Sequence, residues 1–143
     1  MLCAETEIVG EINDDAKSAF LSGAKALLMP IDWPEPFGLV MIEAMACGTP
    51  VIAYNHGSVP EIIEHGVTGF IVSNEAEAVA ALNQVHTLDR REIRARFEAR
   101  FTATRMAQDY LPAYEALIVP QSSSFGWCSD KVVFTLSKKY PVC

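Results

Sequence analysis

The sequence predicts an α/β protein of the doubly wound class, with a parallel sheet flanked by helices on both faces and further helices at the C-terminal end. Two observations carry this prediction. Short apolar runs alternate with helical patterns from Ile8 to His86, and the connections between them are short and marked by Gly or Pro. The size fits as well, since 143 residues, half of them hydrophobic, suffice for one domain with a sizeable core but not for two ordinary ones.

Taken in order, Ile8-Val9-Gly10 reads as a short strand, and Asn13 or Asp14 can cap a helix running through Ala16, Ala19, Phe20 and Ala24. Ala26-Leu27-Leu28-Met29 reads as a buried strand that Pro30 ends, and a loop rich in Pro, Trp and Asp follows from Ile31 to Phe37. The run from Gly38 to Ala46 is apolar nearly all round except at Glu43. It is too long for a typical strand and is built of good helix formers, so it reads as a buried helix closed by Gly48. Val51-Ile52-Ala53 is the next strand, Val59 to Glu64 a short helix closed near Gly66, and Gly69 to Val72 a further strand. Asn74 or Ser73 then caps a helix from Glu75 to about His86. From Asp89 the pattern is wholly helical, with one helix to Arg100 and another from a cap at Thr102 to Ile118, kinked or restarted at Pro112. This assigns residues 1–118 to one domain. Residues 119–143, with a linker-like Gln121-Ser122-Ser123-Ser124 and a short alternation from Val132 to Leu136, read as an atypical mobile tail.

Composition excludes several classes. A net charge of −7 argues against a nucleic-acid partner. Six arginines do cluster between Arg90 and Arg105, but they are interleaved with Asp89, Glu92, Glu98 and with Ile93, Phe97 and Phe101, which reads as a solvated amphipathic face. No apolar stretch approaches the roughly 20 residues of a membrane span. The N-terminus has no basic region followed by an apolar run, so a cytoplasmic location is the expectation. Cys3, Cys47, Cys128 and Cys143 form neither a CxxC pair nor a metal-spaced cluster and read as reduced thiols, with Cys47 buried.

The chemistry is expected in the segment from Trp33 to Ala53. Its loop opens at the carboxyl edge of the predicted sheet, where α/β proteins bind ligands. The helix that follows offers free N–H groups and the positive end of its dipole to a phosphate, and Gly38 lets a ligand approach the backbone. Two carboxylates frame the helix start. Glu43 is the more telling, because an ionised carboxylate on an otherwise apolar helix needs donors, and the vicinal hydroxyls of a ribose are suitable ones; spacing alone equally allows a helix carboxylate that faces solvent or a nearby Lys. Glu35, ahead of the helix, would lie nearer whatever is attached beyond the phosphates. Trp33 reads as a pocket wall or an exposed loop aromatic, His56 as a turn residue before Gly57, and His65 and His86 as surface residues.

The stretch EPFGLVMIEAMACGTPVIA, with Glu35 and Glu43 in E-x7-E spacing, together with Gly57-Ser58-Val59-Pro60-Glu61-Ile62-Ile63 and Gly66-Val67-Thr68-Gly69-Phe70-Ile71-Val72, resembles the family 4 (formerly group 1) retaining glycosyltransferases of GT-B architecture. The likeness extends more loosely from Val9 to Leu117. It implies the C-terminal, Rossmann-like, donor-binding domain of such an enzyme. Glu43 matches the glutamate that holds the ribose hydroxyls and Glu35 the one that approaches the donor sugar. Phe37, Gly38 and Leu39 match the backbone segment lining donor sugar and diphosphate. The implied reaction moves a sugar from a UDP- or GDP-linked donor to an acceptor the sequence does not identify, with retention and without an essential metal or other cofactor.

Two departures accompany the resemblance. The family's donor domain normally opens with a Gly-containing strand-loop and a basic Arg/Lys pair that bind the diphosphate, and its acceptor domain comes earlier still; neither is found before Ile8. Lys17 and Lys25 fall on the next helix and its end and are not read as replacements. A fragment is therefore expected, inactive in isolation. It would associate with a separate N-terminal half or with itself through an uncovered sheet edge. The alternative is a non-catalytic remnant or nucleotide-sugar-binding module.

Overall fold

The structure, a computed structural model, describes residues 6–118. The tail expected at 119–143 lies outside them. The chain divides into two units, Met1–Met106 and Ala107–Cys143.

The first unit contains α1 (Asp14–Gly23), β1 (Leu27–Met29), α2 (Leu39–Ala46), β2 (Val51–Tyr54), α3 (Val59–Ile62), β3 (Gly69–Val72), α4 (Glu75–Leu82), a 3-10 turn (Val85–Thr87) and α5 (Arg90–Arg100). The three strands are parallel in the order β1-β2-β3, with Leu28 opposite Ile52 and Ile52 opposite Phe70. Strand pleating sends alternate side chains of β2 to opposite faces. Val51 and Ala53 pack into a core with Met41 and Met45 of α2, Val59 and Ile62 of α3, and Ile93 and Phe97 of α5. Ile52 points the other way, to Phe70, Val72, Ala81 of α4 and Val85. Helices thus cover both faces, as the doubly wound class requires.

Sequence chemistry fixes the helix starts. Asn13, Asn74 and Asp89 each accept from a backbone N–H of the helix they precede, those of Ala16, Glu77 and Arg91, all at 2.9 Å. Glu77 returns the favour by accepting from Ser73 N–H at 2.7 Å, so two otherwise unpaired donors are met at once.

The arginines lie on an amphipathic helix as expected, most of them exposed while Ile93 and Phe97 are buried. Three of them also close the C-terminal ends of other helices, where free carbonyls and the negative dipole end favour a cation. Arg90 donates to Ser22 O and Ala24 O at the end of α1, Arg94 to Ala46 O at the end of α2, and Arg100 to Glu61 O in α3 while pairing with Glu64. Helix α5 therefore fastens three helices, through the same face that buries Ile93 and Phe97.

The strand expected at Ile8-Val9-Gly10 does not form; Ile8 is 77 % exposed. A strand needs a neighbour to accept its hydrogen bonds, and among the described residues none lies beside this segment. Likewise, among the described residues only β2 pairs with β1. Leu28 of β1 is 54 % exposed and borders an open apolar groove of about 390 Å³, flanked by Pro30 on one side and by Val79 and Leu82 of α4 on the other.

In the second unit the helical part belongs to α6 (Ala103–Leu117), which runs through Pro112 as one helix rather than restarting there. Its residues are exposed, so water can take the carbonyl that proline leaves without a partner. Tyr110 and Tyr114 stack one turn apart, with centroids 6.2 Å apart.

Candidate functional site

The loop from Pro30 to Gly38 leaves the carboxyl end of β1, and the loop Asn55–Ser58 leaves the carboxyl end of β2, so the two lie side by side at one sheet edge. They are held together at several points. Ser58 N–H donates to Glu35 O at 2.8 Å. His56 Nε2 lies 3.2 Å from Asp32 Oδ1. Gly57, at φ +53°, presses so close that an added Cβ would sit 2.3 Å from Glu35 O and 2.6 Å from Glu35 N. His56 is thus a turn residue that also reaches the loop after β1.

Glu35 folds back over the start of α2. Its Oε1 accepts from Gly38 N–H at 3.1 Å and from Phe37 N–H at 3.4 Å. The N–H groups expected to be free for a phosphate are therefore, at these two residues, occupied by the protein's own carboxylate. Gly38 has φ +70°, a left-handed conformation that favours glycine. The space a Cβ would take is already filled, by Met41 Cε at 2.2 Å and Ser58 Oγ at 3.1 Å. The backbone conformation thus favours this glycine, beyond any need for ligand approach. Phe37, Leu39 and Trp33 turn their apolar side chains outward, each about 60 % exposed.

Glu43 lies on α2 about 6 Å along the helix axis from its first residue, Leu39. The expectation that its carboxylate must find donors holds, but the donor comes from the protein. Lys17 Nζ of α1 is 2.9 Å from Glu43 Oε1 and 2.9 Å from Asp14 Oδ1. Hydrogen bonds to Glu43 and then to Asp14 raise the Lys17 ammonium well above its ordinary value, so it stays charged. Glu43 Oε2 accepts from no protein group among the described residues, and its side chain is 38 % exposed. Lys17 is the residue that sequence reasoning passed over. The signal available was its place in the first turn of a helix just ahead of β1, but a spacing of 26 residues along the chain does not by itself bring two side chains together.

The structure thus places Glu35, Phe37 and Gly38 in the loop ahead of α2 and Leu39 and Glu43 on its first two turns. None of the five lines the apolar groove beside α4, which is a separate feature of the sheet. His65 serves locally, accepting from Ile71 N–H at 3.1 Å through Nδ1. Cys47 is partly exposed rather than buried and is a free thiol. Among the described residues no group of three His, Cys, Asp or Glu side chains could hold a metal ion, and no helix is long and apolar enough to cross a membrane.

Residues 1–101 match the family model described as glycosyl transferases group 1. A 41.2 kDa protein of the cps region of Klebsiella pneumoniae is 34 % identical over 113 residues, which are 75 % of this chain and 31 % of that protein. Among solved structures, sucrose-phosphate synthase from Thermosynechococcus elongatus superposes with a TM-score of 0.61 at 35 % identity, covering 76 % of this chain and 30 % of that one. HepE of Anabaena, solved in complex with UDP, gives 0.59 at 27 % identity over 68 % of this chain and 29 % of its own. The chain spans about three tenths of the length of these relatives. Its parallel sheet with flanking helices is the architecture of these GT-B neighbours, and with the family model matching well over half of its residues, the chain belongs to the group 1 glycosyltransferases.

Proposed function

We propose that this chain is the donor-binding part of a glycosyltransferase that moves a sugar from a UDP- or GDP-linked donor to an acceptor with retention of configuration. Glu43 accepts from the ribose hydroxyls, and Phe37, Gly38 and Leu39 line the diphosphate and the donor sugar. Glu35 is the catalytic carboxylate closest to that sugar. The observation that carries this reading is the placement of Glu43: a partly exposed carboxylate whose Oε1 accepts from Lys17 and whose Oε2 accepts from no protein group among the described residues. The UDP bound to HepE, a structure similar over two thirds of this chain, supports a nucleoside diphosphate as the ligand.

In the reaction the bond from the anomeric carbon to the diphosphate breaks and an acceptor oxygen takes its place on the same face. The leaving group gains negative charge as it departs, so groups that stabilise it must be positioned in advance. Backbone amides at a helix start meet that need, which requires Glu35 to release the Phe37 and Gly38 N–H groups that it holds. That same engagement favours a second reading, a nucleotide-sugar-binding module without turnover.

Equilibrium titrations with UDP, UDP-glucose, GDP and GDP-mannose test the proposal. The sugar conjugate of one nucleotide should bind more tightly than the bare nucleotide, and Glu35→Ala should remove the difference. Binding of none of the four by the folded chain would contradict it. Binding without release of nucleotide in the presence of the N-terminal half of a relative would favour the module.

A further inference from the structure

We propose that Lys17 is a positioning residue of the donor site, fixing the Glu43 carboxylate so that Oε2 meets the ribose hydroxyls; this rests on the assignment of Glu43 to the ribose.

The argument begins with where Lys17 is anchored. It stands in the first turn and a half of α1, after the Asn13 cap, and its Nζ bridges Asp14 and Glu43 at 2.9 Å each. The opposite end of α1 is clamped. Thr49 Oγ1, fully buried, donates to Leu21 O at 2.7 Å, and Arg90 holds Ser22 O and Ala24 O. The lysine is therefore presented from a helix whose placement is fixed by the body of the unit.

What the contact does follows from its geometry. A carboxylate on a flexible side chain accepts well only if its rotamer is held, since ordering it on binding costs free energy. Lys17 holds Oε1 and leaves Oε2 with its lone pairs free for vicinal hydroxyls. Stability alone is a weak reason for this contact, because ion pairs of partly exposed side chains contribute little. Both side chains are about one-third exposed, open enough for a ligand to reach the pair.

The test compares UDP and GDP with their 2′,3′-dideoxy counterparts, titrated into the full chain and into Lys17→Met and Lys17→Arg, with melting temperatures followed in parallel. The wild type should prefer the ribonucleotide by about ten-fold or more. Lys17→Met should reduce the preference to about two-fold or less, and Lys17→Arg, which keeps the charge, should retain most of it. Lys17→Gln gives the same readout should the methionine variant melt early. A wild type without the preference would overturn the ribose assignment and this proposal with it. A wild type with the preference and a Lys17→Met variant that keeps it would overturn the role of Lys17 alone. So would a loss of affinity equal for both nucleotides, which is the mark of a merely structural tie.

Discussion

Gly57 and Glu35 meet backbone to backbone: the Cα of Gly57 lies so near the Glu35 peptide that no β-carbon fits between them. The contact joins the loop after β2 to the loop that carries the candidate catalytic carboxylate, and Ser58 N–H seals it with a hydrogen bond to Glu35 O. Gly66 provides the comparison, since it too has a positive φ, +78°, but open space where a Cβ would go. Gly66→Ala should cost about 1 kcal/mol, from backbone strain alone. Gly57→Ala adds the clash and should cost about 2–4 kcal/mol. Urea midpoints of the two variants check this; equal costs would show that the loop gives way freely.

Thr49 is a second point where one atom serves two elements. Its buried hydroxyl donates to Leu21 O and accepts from Arg90, tying α1 to α2 and α5. Thr49→Val keeps the shape, removes both bonds and leaves the Leu21 carbonyl without that partner. It should destabilise the chain by about 1–3 kcal/mol in chemical denaturation. A change within about 0.5 kcal/mol would mean that another group takes over.

These relationships mark the boundary of what the sequence discloses. Strand and helix types followed from local chemistry: apolar runs, Asn and Asp caps, and a Pro that ends β1. The loop after β1 and the two glutamates that frame the start of α2 are legible because they sit in one contiguous segment. The Ile8-Val9 strand was misread because apolar character alone does not supply the neighbouring strand it needs. The partners of the α5 arginines and of Lys17 are hidden in the sequence for a related reason. These partners, the carbonyls of Ser22, Ala46 and Glu61 and the carboxylate of Glu43, come from elements 26 to 68 residues away along the chain, and only packing brings them near. Glu35's retreat onto the Phe37 and Gly38 amides was equally unforeseen, because helix-start chemistry does not say whether a ligand or a nearby carboxylate will take those donors.

The Lys17–Glu43 pair has a defined pH dependence. Glu43 and Asp14 raise the lysine above its ordinary value of 10.5, so the folded state holds that proton more tightly than the unfolded chain does. The resulting stabilisation is complete below 10.5 and is lost only as the pH climbs through the raised folded value. The difference in melting temperature between wild type and Lys17→Met should therefore stay constant from about pH 7 to about pH 10. A difference that vanishes by about pH 9 would show a lysine whose folded value lies below its ordinary one rather than above it.

The most direct test of the central claim is isothermal titration of the folded chain with UDP and GDP, alongside Glu43→Ala. The account predicts that one of the two nucleotides binds, and that the substitution weakens binding by about ten-fold or more without changing the melting temperature by more than a few degrees. Undiminished binding by Glu43→Ala would contradict the placement of the ribose on this carboxylate.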